Sequence, residues 1–235
     1  MKLHITFELN KELDKEMALA FLDNEAGGVD FSQGVTAPHP EIKNIKEKTE
    51  QERKEIISGY FDRYYKEHEK ELLDRVEYFH KDWEPVESKF IEQINKIFKN
   101  PETPEGKYVG YLSIINCNPR FLDSKTFQIF YKHRAGSNYV TSHEVLHFFF
   151  YDYADRNHSD IFAELKPNDG IYWELAELFN DVILDLPEFV AIHNQTETKS
   201  YPAHEKHQAF MKKLWKDKSD IDNWIVEAYN YLNSN

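Results

Sequence analysis

Cysteine is almost absent from the chain, since Cys117 is the only one in 235 residues, and no internal disulfide can form. This composition is typical of a reducing compartment. Long hydrophobic runs are also missing, and nothing approaches the roughly 18 consecutive apolar residues of a membrane-spanning helix. The first residues, MKLHITFELNKELDKE, lack the apolar core of a secretory signal peptide. We therefore expect a cytoplasmic protein with no membrane partner.

Positive charge is scarce as well. The chain has 29 Lys and Arg against 42 Asp and Glu, which gives a formal net charge of -13. An acidic chain repels the phosphate backbone of nucleic acids, and no basic run offsets that repulsion. We therefore expect no nucleic-acid partner.

Aromatic and apolar residues are plentiful, and their spacing predicts a helical N-terminal region. Hydrophobic residues make up 40% of the chain, which is enough for a folded core. Alternation of apolar and polar residues predicts a strand within 2–9. Helical spacing of apolar residues predicts that most of the chain from there to residue 99 is helical. The expected elements are a short helix at 11–23, a loop at 24–41, one long helix or two in series at 42–82, and an amphipathic helix at 84–99.

The character of the chain changes after the turn-forming segment PETPEG at 101–106. Residues 108–117 and 126–132 are apolar, β-branched and aromatic, which predicts two strands joined by a turn at 118–125. Four helices are expected beyond them, at 139–154, 171–185, 203–216 and 220–232. The pattern indicates an α+β fold that is mostly helical, with a small central β-sheet next to the 139–154 helix and a helical C-terminal lobe.

The motif that carries chemistry is His-Glu-Val-Leu-His at 143–147. On a helix, His143 and His147 share one face, so both imidazoles project toward one point, as a tetrahedral zinc site requires. Glu144 lies about 100° further around the helix and can reach a water without binding the metal. Burying these groups among apolar neighbours is costly unless a metal partners them. The motif therefore predicts a Zn²⁺ cofactor.

A zinc site of this kind needs a third protein ligand. The metzincin pattern takes its third ligand from a His that follows the motif after a Gly. That pattern fails here, because Phe150 and Tyr153 occupy the positions of the Gly and the His. The later segment WELAELFND supplies Glu174, Glu177 and Asp181 instead. Glu177 and Asp181 are four apart and share a helix face, so one can bind zinc while the other accepts a hydrogen bond from a ligating histidine.

With these residues the chain resembles the gluzincin metallopeptidases, in which HExxH is followed by a helix bearing Glu-x-x-x-Asp. The resemblance covers roughly residues 126–185. It implies a zinc metallopeptidase, a hydrolase that cleaves a peptide or protein substrate with a zinc-activated water and Glu144 as general base. It also implies Glu177 as third ligand and Asp181 as support for His143. Glu174 is the competing ligand, and Glu177 is favoured because only it has an acidic partner at +4.

The change of character at 101–106 divides the chain into a helical N-terminal region at 1–105, either separate or part of the same domain, and a zincin-like metallopeptidase domain at 106–235. The resemblance also implies an oxyanion donor. Gluzincins stabilise the oxyanion with a His or Tyr from the C-terminal lobe. Tyr201 and His204 are the candidates for this donor, and the sequence does not decide between them. Two alternatives stand beside this interpretation: a non-catalytic helical binding or regulatory protein with a structural or absent metal, and a zinc hydrolase with a non-peptide substrate.

Overall fold

The computed structural model describes residues 3–196 and 200–234. Helices dominate this part of the chain. The α-helices are α1 (Lys11–Phe21), α2 (Ser32–Thr36), α3 (Glu50–Glu67), α4 (Glu69–Ile97), α5 (Ser137–Asn157), α6 (Ser159–Phe162), α7 (Gly170–Leu184), α8 (Pro187–His193), α9 (Glu205–Lys218) and α10 (Ile221–Leu232). The strands are β1 (Thr6–Leu9), β2 (Glu25–Ala26), β3 (Val29–Asp30), β4 (Val109–Ser113), β5 (Arg120–Phe121) and β6 (Thr126–Phe130).

The fold is α+β, as the sequence predicted: mostly helical, with a small four-stranded mixed sheet and a helical C-terminal region. Three short 3₁₀ turns, at Pro40–Ile42, Ile45–Glu47 and Pro202–His204, connect the longer elements. None of the helices in the described ranges combines the length and the apolar composition needed to cross a lipid bilayer.

The chain divides into two compact units. We call Met1–Leu3, Val86–Glu105 and Ser142–Asn235 the helical unit, and His4–Pro85 with Gly106–Thr141 the sheet unit. Each unit combines segments from both sides of residue 105. The interleaving arises because α4 and α5 each contribute residues to both units.

The sheet unit contains the four-stranded sheet, in the order β1-β4-β6-β5. The pairs β1–β4 and β4–β6 are parallel, and β5–β6 is antiparallel. In the central strand Gly110 lies in register between Phe7 and Phe127. A Cβ at position 110 would come within 2.9 Å of the Phe7 ring, so the two phenyl groups occupy the space that a larger residue would need.

The expectation that β4 and β6 are joined by one turn was wrong, because the two strands run parallel. A parallel pair needs a connection of about a dozen residues, and here the connecting chain turns twice. Asn118 (φ 48°) and Lys125 (φ 55°) adopt the left-handed conformation, and between them β5 pairs with β6. Asn118 Oδ1 also accepts a hydrogen bond of 2.8 Å from the Phe130 N–H, which holds the first turn against β6.

The helices before residue 100 also divide differently from the expectation. The break at His68, between α3 and α4, fits the expected alternative of two helices in series at 42–82, but the expected break near residue 83 is wrong. The helix α4 continues through Pro85. One fully buried stripe, with spacings of seven and four residues, extends over its whole length, which explains the continuity. The stripe consists of Leu72, Phe79, Trp83, Phe90 and Ile94.

The predicted loop at 24–41 is more regular than expected. It contains the antiparallel pair β2–β3, the short helix α2 and the beginning of a 3₁₀ turn. The helix α8 was also missed. It begins at Pro187, where the sequence suggested only a separation between helices, because proline is favoured in the first turn of a helix.

A buried carboxylate joins the elements of the sheet unit. Asp14 of α1 is fully buried and accepts hydrogen bonds on both oxygens. Oδ2 accepts from the Tyr65 hydroxyl (2.6 Å) and the Ile114 N–H (2.9 Å), and Oδ1 accepts from Ser113 Oγ and Gln128 Nε2 (2.7 Å). This single side chain therefore connects α1, α3, the end of β4 and β6.

We expect Asp14→Ala to lower the free energy of unfolding by about 3 kcal/mol, because the Ile114 N–H and the Gln128 amide lose their acceptor inside the core. Urea unfolding at pH 7 measures the change. Asp14→Asn is the matched control and should cost only about 1 kcal/mol. Its amide can donate to Gln128 Oε1, which is buried and has no hydrogen-bond partner within the described ranges. Equal losses in the two variants would contradict this prediction.

The stability difference between wild type and Asp14→Asn should depend on pH. Burial raises the pKa of Asp14 from 3.8 to about 6, against the opposing effect of its hydrogen bonds. Between these two values the folded protein holds a proton that the unfolded chain has lost, so the stabilisation from Asp14 decreases as the pH rises through this window. The stability difference between wild type and Asp14→Asn should therefore be larger at pH 4.5 than at pH 7. A difference that does not change with pH would contradict the shift.

The helical unit is organised around α7, whose residues from Leu175 to Leu184 are all buried. Phe179 lies at its centre and contacts aromatic rings from several directions: Phe150 of α5 at 4.8 Å, Trp224 of α10 at 5.2 Å and Trp215 of α9 at 6.0 Å between ring centroids. These contacts fix α7 beside α5, the helix that carries the His-Glu-Val-Leu-His motif.

Candidate metal centre

The motif lies on a helix, as its use in a metal site requires. The helix α5 begins directly after Gly136, whose φ of 82° belongs to the left-handed region that favours glycine. Val145, Leu146 and Phe148 are fully buried, so α5 lies inside the helical unit along the length of the motif. The motif side chains are therefore held by a rigid element, not by a loop.

Three side chains converge at one point. The Nε2 atoms of His143 and His147 are 3.1 Å apart. The carboxylate of Glu177, from α7, approaches both of them: Oε2 lies 3.3 Å from His143 Nε2 and Oε1 lies 3.3 Å from His147 Nε2. All three residues belong to the helical unit, so the site is complete within it.

These distances match the ligand spacing of a tetrahedral zinc site. Zinc binds imidazole nitrogen and carboxylate oxygen at about 2.0–2.2 Å, so neighbouring ligand atoms of a tetrahedron lie about 3.3–3.6 Å apart. The observed 3.1 and 3.3 Å agree within the usual tolerance of about 0.2 Å. The donor set, two imidazoles and one carboxylate, also suits zinc. The residues present therefore fit the ion that the motif implies.

Burial makes a cation favourable at this point. His147 is fully buried, Glu177 is 2% exposed and Glu144 is 4% exposed. Atoms of His143, Glu144 and His147 that can bind a metal lie within 4.8 Å of one another, so a second carboxylate is in the same small volume. Two buried carboxylates repel each other and lose their hydration, and a divalent cation offsets both effects. The side chain of His143 is 18% exposed and marks the open side of the site.

Glu177 and Glu174 occupy different positions around this site. Glu177 lies against both motif imidazoles. Glu174, one turn earlier on α7, has its carboxylate 3.5 Å from His207 Nε2 and is 29% exposed. Between the two carboxylates that the sequence proposed as third ligand, only Glu177 has the geometry of a ligand shared with both histidines.

Asp181 lies one turn beyond Glu177 on α7. Its role as support for His143 stays a prediction. Its Oδ2 accepts hydrogen bonds from Ser200 Oγ and from Gln208 Nε2, the latter at 3.3 Å. Burial raises the pKa of Asp181, while these two bonds and the nearby His143 lower it. The hydrogen bonds connect this carboxylate to Ser200 and to α9.

Tyr201 and His204 are gathered beside α7 by Trp173. The ring centroids of Tyr201 and His204 each lie 5.1 Å from the Trp173 ring and 5.4 Å from each other. Trp173 is one turn before Glu177 and shares its helix face. His204 is 1% exposed, and burial lowers the pKa of its imidazole although the charges of Glu174 and Glu177 oppose the shift. The imidazole of His204 is therefore neutral at pH 7 and carries one N–H.

Asn180 did not emerge as a site candidate from the sequence, whereas His207 lay in a stretch rich in candidate donors. Asn180 Nδ2 donates a 2.8 Å hydrogen bond to the main-chain carbonyl of His143. His207 lies between Glu174 and the Tyr231 hydroxyl, with His207 Nδ1 3.4 Å from the latter. Asn180 is three residues after Glu177, so helical spacing already placed it on the metal-facing side of α7. No comparable signal marked the contact of His207 with Tyr231.

No known protein-family model, curated protein or solved structure matches this chain. The chemistry of the described residues is therefore the basis for assigning a function. Its centre is the group of three converging ligands with Glu144 beside them.

Proposed function

We propose that this chain is a zinc-dependent hydrolase, and specifically a metallopeptidase of the gluzincin type. The observation that carries the proposal is the convergence of three side chains: His143 Nε2 and His147 Nε2 lie 3.1 Å apart, and each lies 3.3 Å from one oxygen of the Glu177 carboxylate. A purely structural zinc site is closed by four protein ligands, whereas a catalytic site has three and keeps an open position. Three ligands with Glu144 beside them favour the catalytic kind.

Glu144 is the proposed general base. A bound Zn²⁺ lowers the pKa of a coordinated water toward neutrality and polarises the substrate carbonyl. Glu144 takes a proton from the attacking water as the new C–O bond forms at the carbonyl carbon. Glu144 then gives this proton to the amine nitrogen as the C–N bond breaks, so the carboxylate ends the cycle in its original ionised form. Its 4% exposure keeps bulk water from competing for the proton.

Tyr201 and His204 are the proposed oxyanion donors. Transition states of acyl transfer place negative charge on the former carbonyl oxygen, and a fixed N–H or O–H donor stabilises that charge. His204 lies close enough to Glu177 for the carboxylate to affect its pKa. The ring of Tyr201 packs against His204 and Trp173, which limits the motion of its hydroxyl. Both donors therefore come from the segment between α8 and α9.

Zinc analysis and peptide digestion test the proposal together. The protein, expressed with added zinc and desalted, should contain about one Zn²⁺ per chain by elemental analysis. It should cleave members of a broad peptide library, as followed by mass spectrometry, and a chelator should abolish cleavage until zinc is restored. Zinc without hydrolysis of peptides or simple esters would indicate the non-catalytic alternative. Ester hydrolysis alone would indicate a non-peptide substrate, and the absence of zinc would refute the proposal.

A further inference from the structure

We propose that Asn180 is a positioning residue, which locks the metal-binding turn of α5 to α7 and so sets the affinity for zinc. The inference rests on the proposed function, because it concerns the same site. Nothing in the motif pattern requires this residue: Asn180 lies between Glu177 and Asp181 and belongs to neither the ligand set nor the acidic pair. Three properties of Asn180 support the inference: its contact, its burial and its orientation.

The hydrogen bond of Asn180 is made to a backbone oxygen of the motif. Asn180 Nδ2 donates at 2.8 Å to the carbonyl oxygen of His143. In an α-helix the carbonyl of residue 143 accepts from the N–H of residue 147, so this oxygen belongs to the one helical hydrogen bond that joins the two motif histidines. A carbonyl oxygen has two lone pairs and can accept both bonds. Asn180 therefore holds the backbone turn on which both imidazoles are mounted.

The side-chain amide of Asn180 has one favoured orientation, which leaves its oxygen in an unfavourable environment. Asn180 is fully buried, and its Oδ1 has no hydrogen-bond partner among the described residues. Turning the amide over would place Oδ1 against the His143 carbonyl oxygen, and two acceptors would then face each other. A buried polar atom left without a partner is destabilising, so an apolar residue would be a better choice for packing alone. The donated bond to His143 explains why an amide occupies this position.

The helix α7 consequently contacts the motif at two levels. Glu177 reaches the ring nitrogens of His143 and His147, and Asn180, three residues on, reaches the main chain of His143. A contact at the ring tips alone would join the carboxylate to the imidazoles but not to the backbone turn that carries them. With the backbone also attached, the carboxylate and the two imidazoles stay within bonding distance of one ion before it binds. This preorganisation is what raises metal affinity.

The chain offers a closely matched control. Asn138, also on α5, is 8% exposed and donates from Nδ2 to the carbonyl oxygen of Asp82 at 3.0 Å. Its Oδ1 is likewise buried without a hydrogen-bond partner in the described part of the chain. Asn138 belongs to the sheet unit, whereas Asn180 belongs to the helical unit. The two amides thus share chemistry, burial and bond type and differ in whether they contact the metal-binding turn.

The experiment measures zinc dissociation constants by competition with a chelating dye for wild type, Asn180→Ala, Asn138→Ala and Asn180→Leu. Loss of an outer-shell partner typically weakens metal binding about ten- to hundredfold, and we expect this for Asn180→Ala. Asn138→Ala should stay within about threefold of wild type. Asn180→Leu restores side-chain volume without the bond and should bind zinc as weakly as Asn180→Ala. The visible spectrum of the Co²⁺-substituted protein should change only in the Asn180 variants.

Several results would overturn the inference. Equal zinc affinity in wild type and Asn180→Ala would do so, as would an equal loss in Asn138→Ala. Recovery of zinc affinity in Asn180→Leu would show that packing, and not the hydrogen bond, matters. A wild type that binds no zinc would remove the proposed function and this inference together. A wild type that binds zinc with the expected Asn180 effect but cleaves nothing would remove only the hydrolase assignment, and the role of Asn180 would stand.

Discussion

Glu144→Gln should lower kcat by about 10²- to 10⁴-fold while the zinc content stays near that of wild type. The amide has almost the same size as the carboxylate but cannot take a proton from water at neutral pH. Because the proposed ligands are His143, His147 and Glu177, removing the charge of Glu144 should leave those three side chains in place. The measurement is the initial rate on the best-cleaved library peptide, with zinc determined on the same samples.

The matched control for this prediction is Glu188→Gln. Glu188 is an exposed residue of α8 in the same unit, and the change removes the same charge. Its rate should equal that of wild type. Full activity in Glu144→Gln would rule out Glu144 as the general base. Loss of zinc from Glu144→Gln would instead show that Glu144 is a ligand. This outcome is worth checking because ligand atoms of Glu144, His143 and His147 lie within 4.8 Å of one another.

Glu177→Gln should weaken zinc binding by more than about a hundredfold, since loss of a ligand should exceed the ten- to hundredfold effect of outer-shell partners. A neutral amide is a poor zinc ligand, and the substitution also removes the negative charge that balances the ion. Turnover at limiting zinc should fall in parallel. Zinc titration of the metal-free protein, together with peptide cleavage at each zinc concentration, measures both effects.

Glu174→Gln provides the comparison on the same helix. Glu174 is one turn away, partly exposed and close to His207, so this change should leave the zinc affinity within about threefold of wild type. A moderate effect on substrate binding is compatible with its place beside His204. If Glu174→Gln lost zinc while Glu177→Gln retained it, the third ligand would be Glu174, and the assignment of Glu177 to the metal would be incorrect.

The convergence of the two motif histidines could be predicted because its signals are local. His143 and His147 are one helical turn apart, and a single helix is enough to make their side chains converge. Glu177 was selected over Glu174 by its spacing to Asp181 and by a family resemblance, and α7 does place Glu177 against both imidazoles. Periodicity within one helix carries such information because it depends on neighbours only three or four residues away.

The remaining features depend on partners that are distant in sequence. The parallel pairing of β4 and β6 follows from two left-handed residues, Asn118 and Lys125, which let β5 take the antiparallel position. The buried network of Asp14 joins it to Gln128 across 114 positions of the chain. The bond from Asn180 to His143 spans 37 positions. No local pattern encodes these contacts, because each depends on how whole elements pack.

Helix boundaries failed for a related reason. The expected break near residue 83 did not occur, because the buried stripe of α4 continues from Trp83 past Pro85 to Phe90. Proline interrupts one backbone hydrogen bond, but packing along the stripe outweighs that loss. The break at His68 lies within 42–82, where two helices in series were one of the expected alternatives. At Pro85 tertiary packing, and not the intrinsic preference of proline, decided the outcome.

The most direct measurement is anomalous diffraction at the zinc absorption edge from crystals grown with zinc. The expected result is one strong peak about 2.0–2.2 Å from His143 Nε2, His147 Nε2 and a Glu177 oxygen, with a fourth position open toward solvent and Glu144 beside it. A peak bound by other residues, or no peak in the presence of excess zinc, would contradict the assignment of this chain as a zinc hydrolase.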